Sequence, residues 1–494
     1  MIIRNIAIDN RKSTIENRKS YFNRFPRTFW TANTMELFER WAWYGMFAVL
    51  ALYLTNSTDT GALGFSQVQK GYLIGTVVGL LYFLPTITGA IADKYGYKRI
   101  LILSYLILAI GYYLMGQVNS YAGMWVVFLF VAVGAGLFKP VISATIAKTT
   151  TPSTSSIGFG IFYMIVNVGA FIGPIVASKF REIHWEYVFD VSAAVIMINL
   201  VLVILFYKEP AIEKKSESLL KSIATIFRNL ASVLRDRKFF IFLVIIVGFW
   251  TMYNQLFYTL PVFIEQWMDT SVIYDFLKSF SPGVADAIGT PEGTIAPEML
   301  INIDAFYIVI FQVAISALVM KYKPLGTMIS GIFISSVGVG LWFISSNPFY
   351  LFITLLVFAV GEMMSSPKIL EYIGRIAPKD KVAMYMGAYY LPMAGGNFFA
   401  GILSGDVYGN MSDKITLLQR EVARRGLEVP DISENFSKTD YLDRACELMN
   451  MDQAALTEYL WVNYHPYDIW MVFTGIGLGT VILLWLYDRF LLNR

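Results

Sequence analysis

The chain has 494 residues, of which 56% are hydrophobic and only 15% are charged. This composition excludes an ordinary soluble globular protein and is typical of a protein that crosses a membrane several times. The small formal net charge of +3 gives no reason to expect a nucleic-acid partner. A single cysteine, Cys446, excludes an intrachain disulfide and a cysteine-based metal cluster, so we expect no bound metal.

Apolar runs near or above 18 residues recur along the whole chain, and each is long enough to cross a bilayer as a helix. We count twelve, at 36–56, 71–92, 99–117, 122–147, 158–180, 187–207, 239–264, 299–320, 325–345, 348–370, 382–405 and 467–490. The count predicts an all-α integral membrane protein with two halves of six transmembrane helices. The predicted regions are a basic N-terminal segment at 1–35, a first half at 36–208, a linker at 209–238, and a second half at 239–494 with a polar insertion at 406–466.

Basic residues are concentrated on one side of the predicted membrane. They crowd the segment 1–35 and the linker 209–238, whereas the loop 267–298 on the other side carries one lysine, Lys278, and several carboxylates. Loops rich in lysine and arginine are retained on the cytoplasmic side. We therefore predict that both termini are cytoplasmic, that the insertion is extracytoplasmic and that the protein lies in the cell membrane.

Three ionisable residues lie at the start of the first span, where Glu36, Glu39 and Arg40 share one helix face that Tyr44 continues. A charge near the centre of a span costs roughly 2.5–3.5 kcal/mol on insertion scales, so such residues nearly always face a bundle interior or a wet cavity. A cluster that only caps the cytoplasmic helix end is the alternative interpretation. Because neither histidine lies within a span, carboxylates must carry any proton, and we favour a proton and substrate site.

Isolated polar residues lie inside four other spans. Lys139 in the fourth span needs a partner or a water-filled cavity, unless its side chain extends to the interface. Tyr163 and Asn167 lie one turn apart in the fifth span, where they form either a hydrogen bond between helices or a ligand contact. The seventh span carries Asn254, and the tenth carries a carboxylate, Glu362.

Two connections are longer than turns. In 211–238, apolar residues recur at helical spacing among basic ones, which predicts an amphipathic helix at the membrane surface; a solvated linker is the alternative. The insertion 406–466 is polar, and we predict helices near 412–425, 439–449 and 452–461 within it. We assign no chemistry to the insertion.

Five motifs follow one another in a fixed order. They are ExxER followed by aromatic residues, DxxGxKR between the second and third spans, GxGxxKP around Lys139, FYxxxNxG around Asn167 and GExxxSP around Glu362. In this order they resemble the proton-coupled oligopeptide transporter family of the major facilitator superfamily. The resemblance implies the fold of that superfamily and a symporter that is driven by a proton gradient without a bound cofactor.

The resemblance also implies roles for individual residues. The proton-coupling groups are Glu36, Glu39, Arg40 and Glu362. The substrate-binding residues are Arg40, Tyr44, Lys139, Tyr163, Asn167, Asn254 and Glu362. A conformational latch is formed by Gly89, Asp93, Gly96, Lys98 and Arg99. In this scheme Lys139 pairs with Glu362 across the halves, and the pair breaks and reforms during transport.

The chain departs from the family pattern at two positions that form a single contact in other members. Many members carry a basic residue seven positions after the arginine of ExxER and an acidic residue just before the glutamine of span seven, and these two form a salt bridge. Here the positions hold Phe47 and Asn254. Losing both is physically consistent, because one partner left alone would be an unpaired buried charge. In the eighth span, Asn302 and Asp304 both lie near the place of a family asparagine.

We predict proton-coupled symport of di- or tripeptides by alternating access, with the substrate bound near the bilayer midplane. The alternatives are symport of another small amphoteric or anionic solute, such as an amino-acid conjugate, nitrate or a drug, and a membrane sensor that binds ligand without transporting it. An enzyme is not expected, because the spans contain no HExxH, GxSxG or P-loop motif. The expected partners of this monomer are the lipid bilayer and a small-molecule substrate.

Overall fold

The computed structural model describes residues 25–151, 154–211, 218–342, 345–379 and 381–492, and the described residues form helices joined by short connections. The first half consists of α1 (Arg27–Thr55), α2 (Gln67–Phe83 and Pro85–Tyr95), α3 (Tyr97–Gln117), α4 (Tyr121–Lys148), α5 (Ser155–Arg181) and α6 (Trp185–Leu205). The second half consists of α7 (Arg237–Tyr253, Gln255–Tyr258 and Leu260–Trp267), α8 (Pro297–Ile301 and Ile303–Val319), α9 (Pro324–Leu341), α10 (Tyr350–Ile376), α11 (Val382–Ala388 and Tyr390–Ile402) and α12 (Ile469–Tyr487). The predicted all-α class is confirmed.

Most of these helices have the length and composition of membrane spans. Within the described residues nine pass on both criteria, and α2 becomes a tenth if its two segments, which meet at 45°, form one bent span. The bend lies at Pro85, which cannot donate the backbone hydrogen bond that a straight helix needs. Of the twelve helices that the structure describes, two do not meet the criteria. They are α1, which carries three charged residues in its middle turns, and α11, which is interrupted at Tyr389.

The first helix begins much earlier than predicted. We expected a span from residue 36, but α1 begins at Arg27 and is 29 residues long. Its first turns are polar enough to escape a hydropathy criterion, yet they contain no residue that stops a helix. The extension places the predicted charged cluster near the middle of α1, so the interpretation of that cluster as a helix-end cap was wrong. Residues 1–24 of the predicted N-terminal segment lie outside the described residues.

The two halves repeat the same packing. In the first half α1 packs against α5 and α6, while α3 packs against α4 and α6. Correspondingly, α7 packs against α11 and α12, and α9 packs against α10 and α12. The halves meet where α2 packs against α11 and where α5 packs against α8. Segments of α7 also contact α1 across the interface between the halves.

Glycines allow α2 and α11 to touch backbone to backbone. A Cβ atom added at Gly75 would lie 2.8 Å from the Cα atom of Gly401, and one added at Gly71 would collide with the carbonyl oxygen of Gly401. Small residues are what permits such close approach between helices in a membrane. A larger residue at Gly71, Gly75 or Gly401 would push α2 and α11, and with them the two halves, apart.

The ends of the bundle differ in what covers them. We call the end with residues 56–66 and the insertion 406–466 the insertion end, and the end with residues 93–99 and the linker the basic end. The insertion contains three helices, Lys414–Arg425, Lys438–Met449 and Gln453–Tyr464, each close to a predicted position. At the basic end a helix over Leu219–Leu234 packs against the second segment of α2 and the first segment of α11; residues 212–217 of the linker lie outside the described residues.

Candidate functional site

The charged residues of α1 form a compact buried group. Arg40 donates two hydrogen bonds to Glu39, from Nε at 2.6 Å and from Nη2 at 2.7 Å. Glu36 lies on the other side of the guanidinium, with its Oε1 3.6 Å from Arg40 Nε. Glu39 is completely buried and the other two residues nearly so. A guanidinium between two carboxylates keeps all three ionised side chains partnered inside the helix bundle.

Lys139 of α4 joins this group. Its ammonium nitrogen lies 4.6 Å from the ring centroid of Tyr82, and its charge interacts with Glu36, Glu39 and Arg40. We call Glu36, Glu39, Arg40 and Lys139 the first-half cluster. With two cations and two anions it carries no net charge when all four are ionised. Lys139 is therefore a partly buried member of this charge network and not a side chain that extends to the membrane surface.

The close approach of α5 to α1 holds the first-half cluster in place. A Cβ atom added at Gly169 would lie 2.7 Å from the carbonyl oxygen of Leu37 and 2.8 Å from Cβ of Arg40. Such distances leave no room for a side chain, so α5 lies directly against the turn of α1 that carries Arg40. The glycine of the FYxxxNxG motif thus has a packing role beside the cluster.

A second group of buried polar residues lies in the second half. Glu362 of α10 accepts a hydrogen bond of 2.9 Å from the hydroxyl of Tyr253 on α7. Its carboxyl group also lies within hydrogen-bonding reach of the carboxyl group of Asp304 on α8. We call Asp304 and Glu362 the carboxyl pair. Sequence analysis noted Asp304 only as one of two candidates for a family asparagine, and only the fold brings it to Glu362.

The carboxyl pair borders a cavity of about 90 Å³ between the halves. From the first half, Tyr44 of α1 and Asn167 of α5 line it. The described residues that line this cavity include no lysine or arginine; they are Tyr44, Ala48, Asn167, Ala170, Pro174, Tyr253, Phe257, Ile301, Asn302, Asp304, Ala305, Ile308 and Glu362. Arg40 lies behind Tyr44, with its guanidinium carbon 5.7 Å from the centroid of that ring.

Three predicted site residues are placed differently from the expectation. Lys139 and Glu362 form no ion pair in this conformation, since Lys139 lies with the first-half cluster and Glu362 with Asp304. Asn254 is buried and donates its amide hydrogen bond to the carbonyl of Trp250 in its own helix, at 2.7 Å. Its amide nitrogen is therefore engaged within α7 and is not offered to the cavity.

Tyr163 and Asn167, which were expected to form either a hydrogen bond between helices or a ligand contact, contact each other within α5. Asn167 donates to the backbone carbonyl of Tyr163 at 2.8 Å, and Tyr163 is 49% exposed. The hydroxyl of Tyr163 interacts electrostatically with Glu362 and Asp304, which places the side chain towards the second half. This placement agrees better with a ligand contact than with a bond between helices.

Aromatic contacts occupy the place of the family's salt bridge. Phe47 stacks on Trp43 with ring centroids 5.2 Å apart, and it reaches across to α7, where the rings of Phe257 and Tyr258 are both 6.0 Å away. The missing base and acid are thus replaced by an apolar contact between α1 and α7, which stabilises the same pair of helices without a buried charge.

Ion pairs connect the halves at the insertion end. Arg181 at the end of α5 binds Glu298 at 2.7 Å and Glu265 at 3.0 Å, beside a cavity of about 530 Å³. Between α2 and α7, the buried ammonium of Lys70 donates to the carbonyl of Tyr258 at 2.9 Å. Sequence reasoning missed these contacts, because residues near helix ends look like ordinary interfacial charges until the partner helix is known. They hold the insertion end closed.

The predicted latch loop is tied to the end of α6. Gly96 has a φ of +97°, which favours glycine, and the following backbone N–H of Tyr97 donates to Glu209. Lys98 donates to the carbonyl of Ile204 at 2.9 Å, and Asp93 accepts from the hydroxyl of Tyr97 at 3.2 Å. Arg99 is exposed, and Gly89 faces Pro140 of α4. Glu209, which the sequence did not single out, is thus the residue that caps α3.

The chain matches a known family over more than half of its length. Residues 34–291 match the model of the Major Facilitator Superfamily. Among its relatives, dipeptide and tripeptide permease B of Salmonella typhimurium is 24% identical over 444 residues, which is 77% of this chain and 86% of the permease. The predicted resemblance to the oligopeptide transporter family is confirmed by such relatives.

Solved structures share the fold. A mutant of the peptide transporter POT in complex with alafosfalin superposes with a TM-score of 0.69 at 16% identity, covering 94% of this chain and 95% of that one. A POT family transporter in complex with 5-aminolevulinic acid gives 0.65 at 18% identity, covering 90% of this chain and 97% of that one. At such identities the likeness concerns the architecture, and the predicted two-half fold is confirmed.

Proposed function

The chain belongs to the major facilitator superfamily, and on that premise we propose that it is a proton-coupled symporter of di- and tripeptides. It is a multi-pass membrane protein. We place it in the cell membrane with both termini in the cytoplasm, on the strength of the basic residues at one end. The proton gradient is its driving force, so no cofactor and no enzymatic step are required.

The observation that carries the proposal is the separation of buried charge across the central interface. Arg40 and Lys139 supply cations on the side of the first half, and Glu362 supplies a carboxyl on the side of the second, with the small cavity between. A peptide zwitterion has a carboxylate and an ammonium at its two ends, and a site with separated opposite charges matches both. The permease relatives named above support a peptide as the solute.

Alternating access follows from the arrangement of the halves. The insertion end is closed by the Arg181 ion pairs and by the contact of Gly75 with Gly401. Exchange of the substrate with the other side of the membrane requires these contacts to separate while the basic end closes. The six-helix halves move as bodies in this scheme, because their internal packing repeats and the bonds between them are confined to few sites.

An uptake assay in liposomes tests the proposal. Purified protein in vesicles with an inward proton gradient should concentrate a labelled dipeptide, and a mixed dipeptide library should compete. Uptake of 5-aminolevulinic acid or nitrate that dipeptides do not inhibit would instead favour the second candidate, symport of another small solute. Ligand binding without any counterflow would indicate a sensor.

The proton-coupling residues have their own test. Glu36→Gln with Glu39→Gln should abolish uptake driven by the pH gradient, yet counterflow of substrate at equal pH should persist, because the substrate contacts remain. Uptake against a substrate gradient by this double variant would contradict the assignment. Asp190→Asn, which changes a carboxyl on α6 away from the interface, serves as the matched control.

A further inference from the structure

The carboxyl pair has a hydrogen-bonding arrangement that two carboxylates cannot satisfy. One oxygen of each group, Asp304 Oδ1 and Glu362 Oε2, is buried and receives no hydrogen bond from a donor of the described residues. The carboxyl groups nevertheless lie within hydrogen-bonding reach of each other. An ionised carboxylate has acceptor oxygens only, so a bond between two such groups needs a proton on one of them.

The described surroundings of the carboxyl pair supply no positive charge. The titratable groups that face it are hydroxyls: Tyr253 from α7, Tyr44 from α1, Tyr163 from α5 and Tyr389 from α11. Asp304 is 4% exposed, and among the described side chains only Tyr253 donates a hydrogen bond to Glu362. Two negative charges so close together at a site without a nearby cation would repel each other without compensation, and one shared proton removes that repulsion.

We propose that Asp304 and Glu362 share one proton and form a second proton-binding site, in the second half of the protein and separate from the first-half cluster. With that proton the pair carries one negative charge. One negative charge matches one substrate ammonium, so the pair is set up to receive a peptide amine when it is singly protonated. The shared proton is argued from the contact of the two carboxyl groups and from their buried, unpartnered oxygens, whereas its part in peptide symport rests on the proposed function.

Infrared spectroscopy of the purified protein tests the shared proton directly. The carboxylic-acid C=O band at neutral pH should lose the same component in Asp304→Asn as in Glu362→Gln. The double variant should lose no more than either single variant, because only one proton is shared. Asp190→Asn removes a carboxyl whose Oδ1 is also buried and whose charge interacts with Glu186 on the same helix but not with the carboxyl pair, and it should leave that component unchanged. Two additive losses, or a component that survives both substitutions, would overturn the proposal.

Transport measurements then test the role of the pair. The amide introduced by Asp304→Asn can donate to Glu362 and replace the shared proton, so this variant should still bind dipeptides. The slope of the logarithm of uptake against pH should fall by about one relative to the unmodified chain, since one titrating proton is lost. An unchanged slope would exclude the pair from coupling. Failure of gradient-driven uptake in the unmodified chain would contradict the proposed function but leave the infrared result standing.

The insertion belongs to the second half of the chain, but it forms hydrogen bonds to the first half. The ammonium of Lys438 donates to the backbone carbonyl of Thr55, the last residue of α1, at 2.8 Å. It also donates to the carbonyl of Phe65, near the end of the connection to α2, at 3.0 Å. The N–H of Thr439 donates to Ser57 Oγ at 3.2 Å. The carbonyls that a helix leaves unpaired at its C-terminus attract a cation, so Lys438 caps α1 from the opposite half.

We infer that the insertion is a clasp that holds the insertion end closed and must release residues 55–66 in every transport cycle. Cross-linking tests this directly. In a Cys446→Ala background, Ser57→Cys with Thr439→Cys should block uptake on oxidation, and reduction should restore it. Asp443→Cys with Gln453→Cys joins two helices within the insertion, whose side chains are 2.8 Å apart, and should leave uptake unchanged. Full uptake by the oxidised Ser57–Thr439 variant would overturn the inference.

Discussion

The two halves hold their buried charges in opposite ways. The first-half cluster balances two carboxylates with a guanidinium and an ammonium, and Arg40 bonds Glu39 through two hydrogen bonds. The carboxyl pair of the second half has only hydroxyl groups and amides as its described polar neighbours around the cavity. The halves share one packing pattern. The first half nevertheless compensates its buried charges by ion pairing, whereas the second half does so by a proton.

The difference concerns how a proton acts in each half. In the first-half cluster the carboxylates proposed to take up the proton lie beside Arg40, so protonation there weakens an ion pair. A carboxyl pair without a cation changes its charge whenever a proton or an ammonium arrives. The comparison therefore predicts that loss of the cation Arg40 is costly to the fold, whereas substitutions in the carboxyl pair change the response to pH with little effect on stability.

The largest effect is expected at Arg40. Arg40→Met leaves Glu36 and Glu39 buried with Lys139 as the one remaining cation of the cluster, which should destabilise the protein by about 3–5 kcal/mol. Glu362→Gln should change stability by less than about 1 kcal/mol, because the amide can still bond Asp304 and Tyr253. Thermal unfolding in detergent, followed by size-exclusion chromatography, measures both. Equal losses in the two variants would remove the distinction between the halves.

A double-mutant cycle of Lys139 and Glu362 should show that these residues act apart in the conformation described. Lys139→Met and Glu362→Gln should have effects on the free energy of unfolding that add to within about 0.5 kcal/mol, since the two side chains have no shared partner. Their effects on transport should not add, if the pair forms in another state of the cycle. A large coupling energy in unfolding would mean that the resting protein already pairs them.

The contact between α1 and α7 offers a smaller test. Phe47→Arg alone buries a cation among Trp43, Phe257 and Tyr258 and should lower expression and uptake. Phe47→Arg with Asn254→Glu restores an acid and a base, so it should recover part of the loss. A fluorescence-based expression screen with dipeptide uptake measures this. If the double variant is no better than Phe47→Arg, the two positions do not meet in this protein.

The smallest effect concerns pH and the insertion. Burial alone would raise the pKa of Glu421, but hydrogen bonds from Arg424, Arg425, Tyr464 and Tyr459 outweigh it and lower the pKa from 4.5 to about 2. The stabilisation is thus complete above about pH 4.5 and is lost as the pH falls towards 2. Glu421→Gln should lower the Tm at pH 7, and the difference from the unmodified chain should shrink below about pH 4. A difference that grows on acidification would contradict this sign.

Sequence patterns located the helices well and their ends less well. Apolar runs of the right length marked the spans, and Gly426, with φ +65°, ends an insertion helix where the sequence indicated. The start of α1 was missed, because residues 27–35 are polar and yet helical. Hydropathy measures the preference for lipid, whereas the backbone hydrogen bonds of a helix continue through polar residues too.

In the candidate site, too, some contacts follow from the local sequence and others depend on which helices pack together. Glu36, Glu39 and Arg40 are neighbours on one helix, so their meeting followed from helical spacing alone. The meeting of Asp304 with Glu362 depends on how α8 packs against α10, and no local pattern contains it. The same is true of the Phe47 contacts with α7 and of Lys438 at the end of α1.

The sequence by itself thus determined the helical membrane class, the order of the spans and the charged face of α1, because each depends on residues within a few turns of one helix. Only the tertiary structure decided that α1 carries its charges near the middle of the helix and that the insertion contacts the first half. The same is true of the contact between the carboxyl groups of Asp304 and Glu362. Those features depend on which helices become neighbours. Close packing at glycines such as Gly169 and Gly75 sets these neighbours, and it is a property of the assembled bundle.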